Sequence, residues 1–475
     1  MKTYNLLIAG ASPSNESYVV KSPYSGKDLA SVARANDAAI EQALKNAHES
    51  FHEEMLSMPA HQRAGILYKV ARLIEGNHEE LSLLIAHEGG KPLKDARVEV
   101  TRAMNTTKMS GDEALQLNGE TLTMDRSPGT ENCLAYTIRV PVGPVLAISA
   151  FNHPVNLICH QVCTAFAAGN SVVVKPASQT PLSCHRILEL FREAGAPEKA
   201  LSLAAVSGSK GDVLVQDSRI RFITFIGGED VGWEIRKKAQ PGVRIALEHG
   251  GTGTAIVDKD VDLSNALPSI TRGAFYHAGQ VCVSTQIVHV HESLYEKVVH
   301  DLAERARQLV VGDPADPKTD VGPLISRKDV ERVDEWVREA VSQGAKLICG
   351  GEKVGETCYA PTILADTTPN MKVSCKEIFG PVLCLTPYSD IQSVITEMND
   401  SPYSFQSAIY TNNITLAHKA ARQIETKAFM INESTAFRVD WMPFGGAKRS
   451  GLGVGGTRHA VHDMTEEKLV VVRLP

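Results

Sequence analysis

The chain has 475 residues, 43% of them hydrophobic and 22% charged, with a formal net charge of −6. That is enough chain for two or three domains of ordinary size, and the composition is that of a soluble globular protein. A nucleic-acid partner would show as a basic excess or a clustered basic stripe, and a membrane span as a long apolar run; neither is present, so neither partner is expected. The apolar run at the N-terminus carries a single lysine and is too short for a signal peptide. Nine cysteines are scattered with no Cys-x-x-Cys pair. Cys159 and Cys163 lie four apart, but no histidine or cysteine cluster completes a metal site. An odd, dispersed set predicts reduced thiols, a cytoplasmic location and no bound metal.

In chain order, the first hundred residues read as mostly helical. Asn36 and Asp37 form a plausible N-cap ahead of Ile40, Ala43, Leu44, Ala47 and Phe51 at helical spacing. A second amphipathic pattern covers residues 61–87 and is ended by Gly89-Gly90-Lys91-Pro92; a third covers about residues 94–114. From Val142 the pattern changes to short apolar strands alternating with helices, at residues 145–149, 171–174, 201–206 and 222–226. That alternation predicts a parallel doubly wound α/β sheet of the kind that binds nucleotides. A second alternating series begins near Thr254 and continues past Ile431. Residues 116–137 and the tail after Gly455 fit neither sheet, although residues 467–472 have the β-branched composition of a strand.

Two segments carry chemistry. Gly279-Gln280-Val281-Cys282 sets a cysteine among small and apolar residues, and Ala246-Leu247-Glu248-His249-Gly250-Gly251 ends an apolar strand on a carboxylate followed by glycines. Glycines at that point let the backbone approach a flat ligand closely. A thiol nucleophile needs a route to the thiolate and a second group to activate water for deacylation, so the pair suggests catalysis through a thioester. Together with Ser149-Ala150-Phe151-Asn152-His153-Pro154 and Glu377-Ile378-Phe379-Gly380-Pro381, these segments resemble the aldehyde dehydrogenase family. The resemblance implies a Rossmann-type cofactor domain, an α/β catalytic domain and a projecting oligomerisation arm. The expected division is 1–115 and 138–247 for the cofactor domain, 248–454 for the catalytic domain, and 116–137 with 455–475 for the arm. In the family the arm pairs with a neighbouring subunit, which implies a homodimer or homotetramer.

The resemblance assigns roles residue by residue. Taken alone, any one of nine cysteines reads as a small buried hydrophobe, but residues 275–282 match the family's cysteine segment and make Cys282 the expected nucleophile. Asn152 follows a strand and precedes Pro154, where an amide could hold an oxyanion with the Cys282 N–H or simply cap a helix. Glu248 is the expected base for deacylation; branches that pass the acyl group to coenzyme A generally lack it, so a free acid is the implied product. His249 stands where the family has leucine. NAD, with NADP not excluded, is expected to lie against Lys175, Ser178, Gly208, Gly227, Gly228, Gly232, Leu247, Gly250, Glu377 and Phe379. Gly227 to Gly232 spans a strand-to-helix turn, where backbone N–H groups and the helix dipole favour a pyrophosphate. The familiar Gly-Ser-Thr of that turn reads Gly227-Gly228-Glu229, so a hydroxyl is lost and a carboxylate gained. Ser178 replaces the glutamate of many NAD-specific relatives, which removes repulsion of a 2′-phosphate.

Arg102, His153 and Arg438 are the candidate cations at the substrate end; the alternative for Arg438 is an ion pair with Asp440, and for Arg102 a helix-face charge. Their surroundings resemble the branch acting on lactaldehyde, phosphonoacetaldehyde and sulfoacetaldehyde. With the uncharged Val281 beside Cys282, sulfoacetaldehyde is the favoured substrate. The competing readings are a lactaldehyde or phosphonoacetaldehyde dehydrogenase, a coenzyme A-acylating dehydrogenase, and a structural protein on the same scaffold.

Overall fold

The computed structural model describes residues 1–475. Its centre is a six-stranded sheet in the order Leu201–Leu203, Val172–Lys175, Val145–Ile148, Phe222–Ile226, Arg244–Glu248, Gly451–Leu452, all parallel except the last. The strands alternate by side. Val145, Ala147, Val172 and Val174 pack in one apolar cluster; Leu146, Ile148, Val173 and Ile223 pack in another, so helices cover both faces. The strand order reverses between Val145–Ile148 and Phe222–Ile226, which opens a crevice at their carboxyl ends. A second sheet of seven strands runs Lys346–Cys349, Thr362–Ala365, Val382–Tyr388, Thr285–His291, Gly253–Val257, Gln406–Tyr410, Ala428–Ile431, with only the first antiparallel. No helix is long and apolar enough to cross a membrane.

The N-terminal hundred residues are mostly helical, as expected, but begin with strands. Lys2–Tyr4, Ser17–Lys21 and Asp28–Ala33 form a small sheet before the first helix, Asp37–Ser50, which Asn36 caps by accepting from the Ala39 N–H at 2.9 Å. These strands are three to six residues long, too short to give a periodic signal. The 61–87 pattern is two helices, Ala60–Gly76 and His78–Gly89, broken at Asn77, whose side chain donates to the Leu73 carbonyl.

Three elements lie at or across the expected boundaries. The strand Cys133–Pro141 runs past 137 and pairs along its whole length with Thr465–Arg473. Residues 457–463, expected in the arm, form a helix, and Val461 and Met464 lie in the core beside the helices Leu93–Ala114 and Asn156–Ala167. Gly451–Leu452, expected in the catalytic domain, pairs with Leu247 and Glu248 and so completes the cofactor sheet.

Candidate active site

A cavity of about 1100 Å³ opens where the two sheets meet. It is lined by Cys282, Glu248, Asn152, all three candidate cations, and most of the expected cofactor contacts.

Cys282 follows a turn in which His277, Ala278 and Gly279 have φ of 49°, 54° and 70°. Consecutive left-handed residues are costly and persist only where the surroundings hold them. Here a Cβ at Gly279 would lie 2.1 Å from the Gly380 carbonyl oxygen, so the turn is pressed against the segment carrying Glu377 and Phe379. Gln280 locks the loop: its side chain donates to the Pro323 carbonyl and accepts from the Ile325 N–H, and its carbonyl accepts from Asn152 Nδ2 at 2.9 Å. One amide hydrogen of Asn152 is thereby used and the other left for the cavity. The helix that follows Asn152 is capped from a distance. Glu99 accepts from the N–H groups of Val155 and Asn156 at 2.9 and 3.1 Å, and is itself paired with the buried Lys91.

Glu248 ends its strand with Oε1 4.0 Å from the Cys282 sulfur and 3.9 Å from Arg438 Nη1. Burial pushes the Glu248 carboxyl up, against the pull of Arg438. Burial, and then the charge of Glu248, push the Cys282 thiol well above its ordinary value. The resting sulfur is therefore protonated, beside a carboxylate within reach of its proton.

At the substrate end the three candidate cations separate. Arg102 is bidentate to Asp440 at 3.0 and 2.8 Å, and Asp440 also accepts from Asn156 and His160. Burial alone would raise the Asp440 carboxyl, but hydrogen bonds from His160 and Arg102 hold it far below the carboxylate range. The Asp440 partner is thus Arg102, and the charge of Arg102 is matched. His153 is not a cation: burial, with Lys91 and Arg102 nearby, pushes it well below its ordinary value, and its ring meets the Tyr276 hydroxyl at 3.3 Å. Arg438 is buried with its guanidinium 3.5 Å above the Phe444 ring. Its Nε has no hydrogen-bond partner, and both nearby carboxylates stand at 3.9 Å. His160, lowered to about 4 by burial, is neutral and gives its Nε2 hydrogen to Asp440, which leaves no lone pair there for Arg438. Arg438 is therefore the cation with unmet donors.

The other half of the cavity fits a dinucleotide. Lys175 ends a strand with no carboxylate paired to it, and burial pushes its ammonium down. Ser178 is exposed at the rim, and Gly208 begins the helix Gly208–Gln216. Gly227 and Gly228 precede the helix Glu229–Lys238. A Cβ at Gly250 would fall 1.5 Å from Glu377 Oε1, so only glycine admits that carboxyl. Oε1 of Glu377 is buried without a partner, and burial raises the group to about 8. A ribose diol would satisfy this orphaned oxygen. Phe379, at φ 45°, meets Phe151 edge to face at 5.8 Å.

Two expected contacts do not line the cavity. The Leu247 side chain packs in the apolar core behind the strand, because strand alternation turns it away from the cavity. Gly232 serves packing: a Cβ there would lie 1.9 Å from Nε2 of His249, the residue that replaces leucine. Arg449 and Tyr403, both lining the cavity, went unnoticed in the sequence because they join Glu229 only through the fold.

Comparison with known proteins agrees with this geometry. A model of the aldehyde dehydrogenase family matches residues 10–470. A 3-sulfolactaldehyde dehydrogenase of Priestia aryabhattai is 40% identical over 477 residues, covering 100% of this chain and 99% of that protein. The NADP-dependent glyceraldehyde-3-phosphate dehydrogenase of Bacillus halodurans, complexed with NADP, superposes with a TM-score of 0.96 at 36% identity, covering 100% of both chains. Aldehyde dehydrogenase 21 of Physcomitrella patens, in complex with the reaction product succinate, gives a TM-score of 0.96 at 34% identity over 99% of this chain and 98% of that one. The chain belongs to the aldehyde dehydrogenase family and is an NAD(P)-dependent aldehyde dehydrogenase.

Proposed function

We propose that the enzyme oxidises a short aldehyde bearing a single negative charge, a sulfonate in the favoured reading, to the carboxylic acid. The observation that carries this is Arg438: one buried guanidinium with unmet donors, lining the same cavity as Cys282, while Arg102 is neutralised by Asp440 and His153 is uncharged. A single guanidinium whose two carboxylates stand off at 3.9 Å suits a monoanion. A phosphonate or phosphate dianion would call for a second, and a neutral lactaldehyde would leave Arg438 unsatisfied. Sulfoacetaldehyde and the longer 3-sulfolactaldehyde both meet the requirement, and the name of the Priestia relative favours the latter. A carboxylate semialdehyde is the second reading, favoured by the succinate bound to the Physcomitrella enzyme.

In this mechanism the Cys282 proton passes to Glu248 and the sulfur attacks the carbonyl carbon. The C=O π electrons move to oxygen, held by the free Asn152 amide hydrogen and the Cys282 N–H. Nicotinamide, when bound, supplies the two-electron acceptor for the aldehyde hydrogen. Cys282 then carries the acyl group as a thioester. Glu248 releases the first proton to solvent and then takes one from water; the water oxygen attacks the acyl carbon, the C–S bond breaks to free the acid, and the Cys282 sulfur leaves as thiolate and recovers a proton from Glu248. Lys175, Ser178, Gly208, Gly227, Gly228, Gly250, Glu377 and Phe379 hold the cofactor. NAD is the expected partner; without a carboxylate at Ser178, NADP is also usable. The unpaired cysteines support a cytoplasmic setting, and the arm supports a homodimer or homotetramer.

The test is kcat/KM over sulfoacetaldehyde, 3-sulfolactaldehyde, succinic semialdehyde, lactaldehyde and propionaldehyde. A charge-assisted hydrogen bond is worth roughly 1.5–3 kcal/mol, so the best monoanion should exceed propionaldehyde by about one to two powers of ten. Arg438→Ala should erase that gap while lowering propionaldehyde turnover less. A parent enzyme that prefers neutral aldehydes would overturn the anionic reading.

A further inference from the structure

The two departures from the family pattern that the sequence shows near the cofactor turn, Glu229 and His249, both end on one residue, Arg449. Glu229 is the first residue of the helix Glu229–Lys238, where an unmatched carboxylate would repel the pyrophosphate that the helix N-terminus attracts. It is not unmatched. Arg449 Nε donates to Glu229 Oε2 and Arg449 Nη2 to Oε1, both at 2.9 Å, and the Tyr403 hydroxyl donates to Oε1 at 3.2 Å. His249 fixes the same arginine from behind, with Nδ1 2.9 Å from the Arg449 carbonyl oxygen. As donor to that carbonyl, neutral His249 carries its hydrogen on Nδ1, so its Nε2 is an acceptor and cannot bind phosphate. The Arg449 N–H donates to the Pro402 carbonyl at 3.0 Å, so main chain and side chain are both held.

We propose that Arg449 is a cofactor-binding residue whose guanidinium, braced by Glu229 and Tyr403 and seated by His249, takes the phosphates of the dinucleotide. A guanidinium has five N–H donors. The Glu229 fork uses two, and no other acceptor meets Arg449. Arg449, Glu229, Tyr403 and Gly228 line the same cavity. A bidentate carboxylate on one side of a planar guanidinium leaves a second fork on the other, in the geometry suited to phosphate oxygens. Glu229 thus stands in for the lost hydroxyl indirectly: the cation it orients replaces the hydrogen bond that serine or threonine would make.

The test uses equilibrium binding to the purified enzyme without turnover, by titration calorimetry with NAD, with ADP and with adenosine. Arg449→Ala should weaken NAD and ADP roughly tenfold or more and leave adenosine unchanged. Part of the parent's ADP affinity should be lost at high salt, and less in the variant. The decisive variant is Glu229→Ala with Arg449→Ala, which removes the carboxylate without adding a hydroxyl. If Arg449 only neutralises Glu229, removing both recovers more than half of the lost affinity on a logarithmic scale, which overturns the proposal. If Arg449 binds phosphate, the double variant stays closer to Arg449→Ala. A second readout needs no variant: phenylglyoxal labelling of Arg449, mapped by mass spectrometry, should be blocked by ADP and not by adenosine. Labelling indifferent to ADP overturns the proposal as well.

Discussion

The proton on Cys282 has one acceptor within reach, Glu248 at 4.0 Å, and the burial that raises the thiol makes that acceptor necessary. In Glu248→Gln the thiolate forms only as pH rises, so the burst of reduced nicotinamide should slow at neutral pH and climb roughly tenfold per pH unit. The parent's burst should vary less over the same range. Stopped-flow absorbance at several pH values reads this directly; identical burst profiles would confine Glu248 to deacylation. Glu377 gives a second pH signature. Its carboxyl is raised to about 8 by burial, and ribose hydroxyls donate, so they favour the ionised form. Binding below that pH releases a proton. NAD affinity should therefore rise with pH and level off near 8. Glu377→Gln should flatten this rise, as measured by calorimetry in buffers of different ionisation heat.

Elements meet at the site through close backbone approaches. The Gly250 backbone and Glu377 come from different sheets, and a Cβ added at Gly250 would lie only 1.5 Å from the Glu377 carboxyl, which leaves no room for alanine. Gly250→Ala should displace Glu377 and weaken NAD at least roughly tenfold, while iodoacetamide still alkylates Cys282 at the parental rate. Loss of alkylation as well would mean that the whole loop had moved. The strand Gly451–Leu452 works in the same way, closing the cofactor sheet against Leu247 and Glu248 and bringing Arg449 to Glu229. Glu99 acts at longer range, capping the helix after Asn152 from the helix Leu93–Ala114. Periodicity made each of these helices and central strands legible. It carried no information on which of them touch, because a carboxylate that caps a foreign helix looks in sequence like any other helical glutamate.

At the scale of the whole molecule, the arm presents a surface that one chain does not cover. Thr465–Arg473, Cys133–Pro141 and Thr121–Leu122 form a three-stranded sheet with Leu134, Tyr136, Ile138 and Val472 exposed and the outer edge of Thr465–Arg473 unpaired. Such a surface invites a second chain. Met464 belongs to the core, so ending the chain there should leave the fold intact and remove only the last strand. Sedimentation of that truncation should show a smaller species than the parent, or aggregates; an unchanged oligomer would place the subunit contact elsewhere.

By itself the sequence determined the features set by local pattern and by motif: the doubly wound sheet, the cysteine, carboxylate and asparagine that share the cavity, and the glycine turn before Glu229. These are encoded within a few residues, by alternation or by a side chain fixed next to a glycine. Only the tertiary structure decided how charge is distributed. Arg102 and Asp440 are 338 residues apart, Glu229 and Arg449 220 apart, and each ion pair changes what its members can do. Three apparent cations become one because burial discharges His153 and Asp440 claims Arg102. Desolvation and pairing depend on distance in space, which spacing along the chain does not record, and so the chemistry of the site was legible before its charge was.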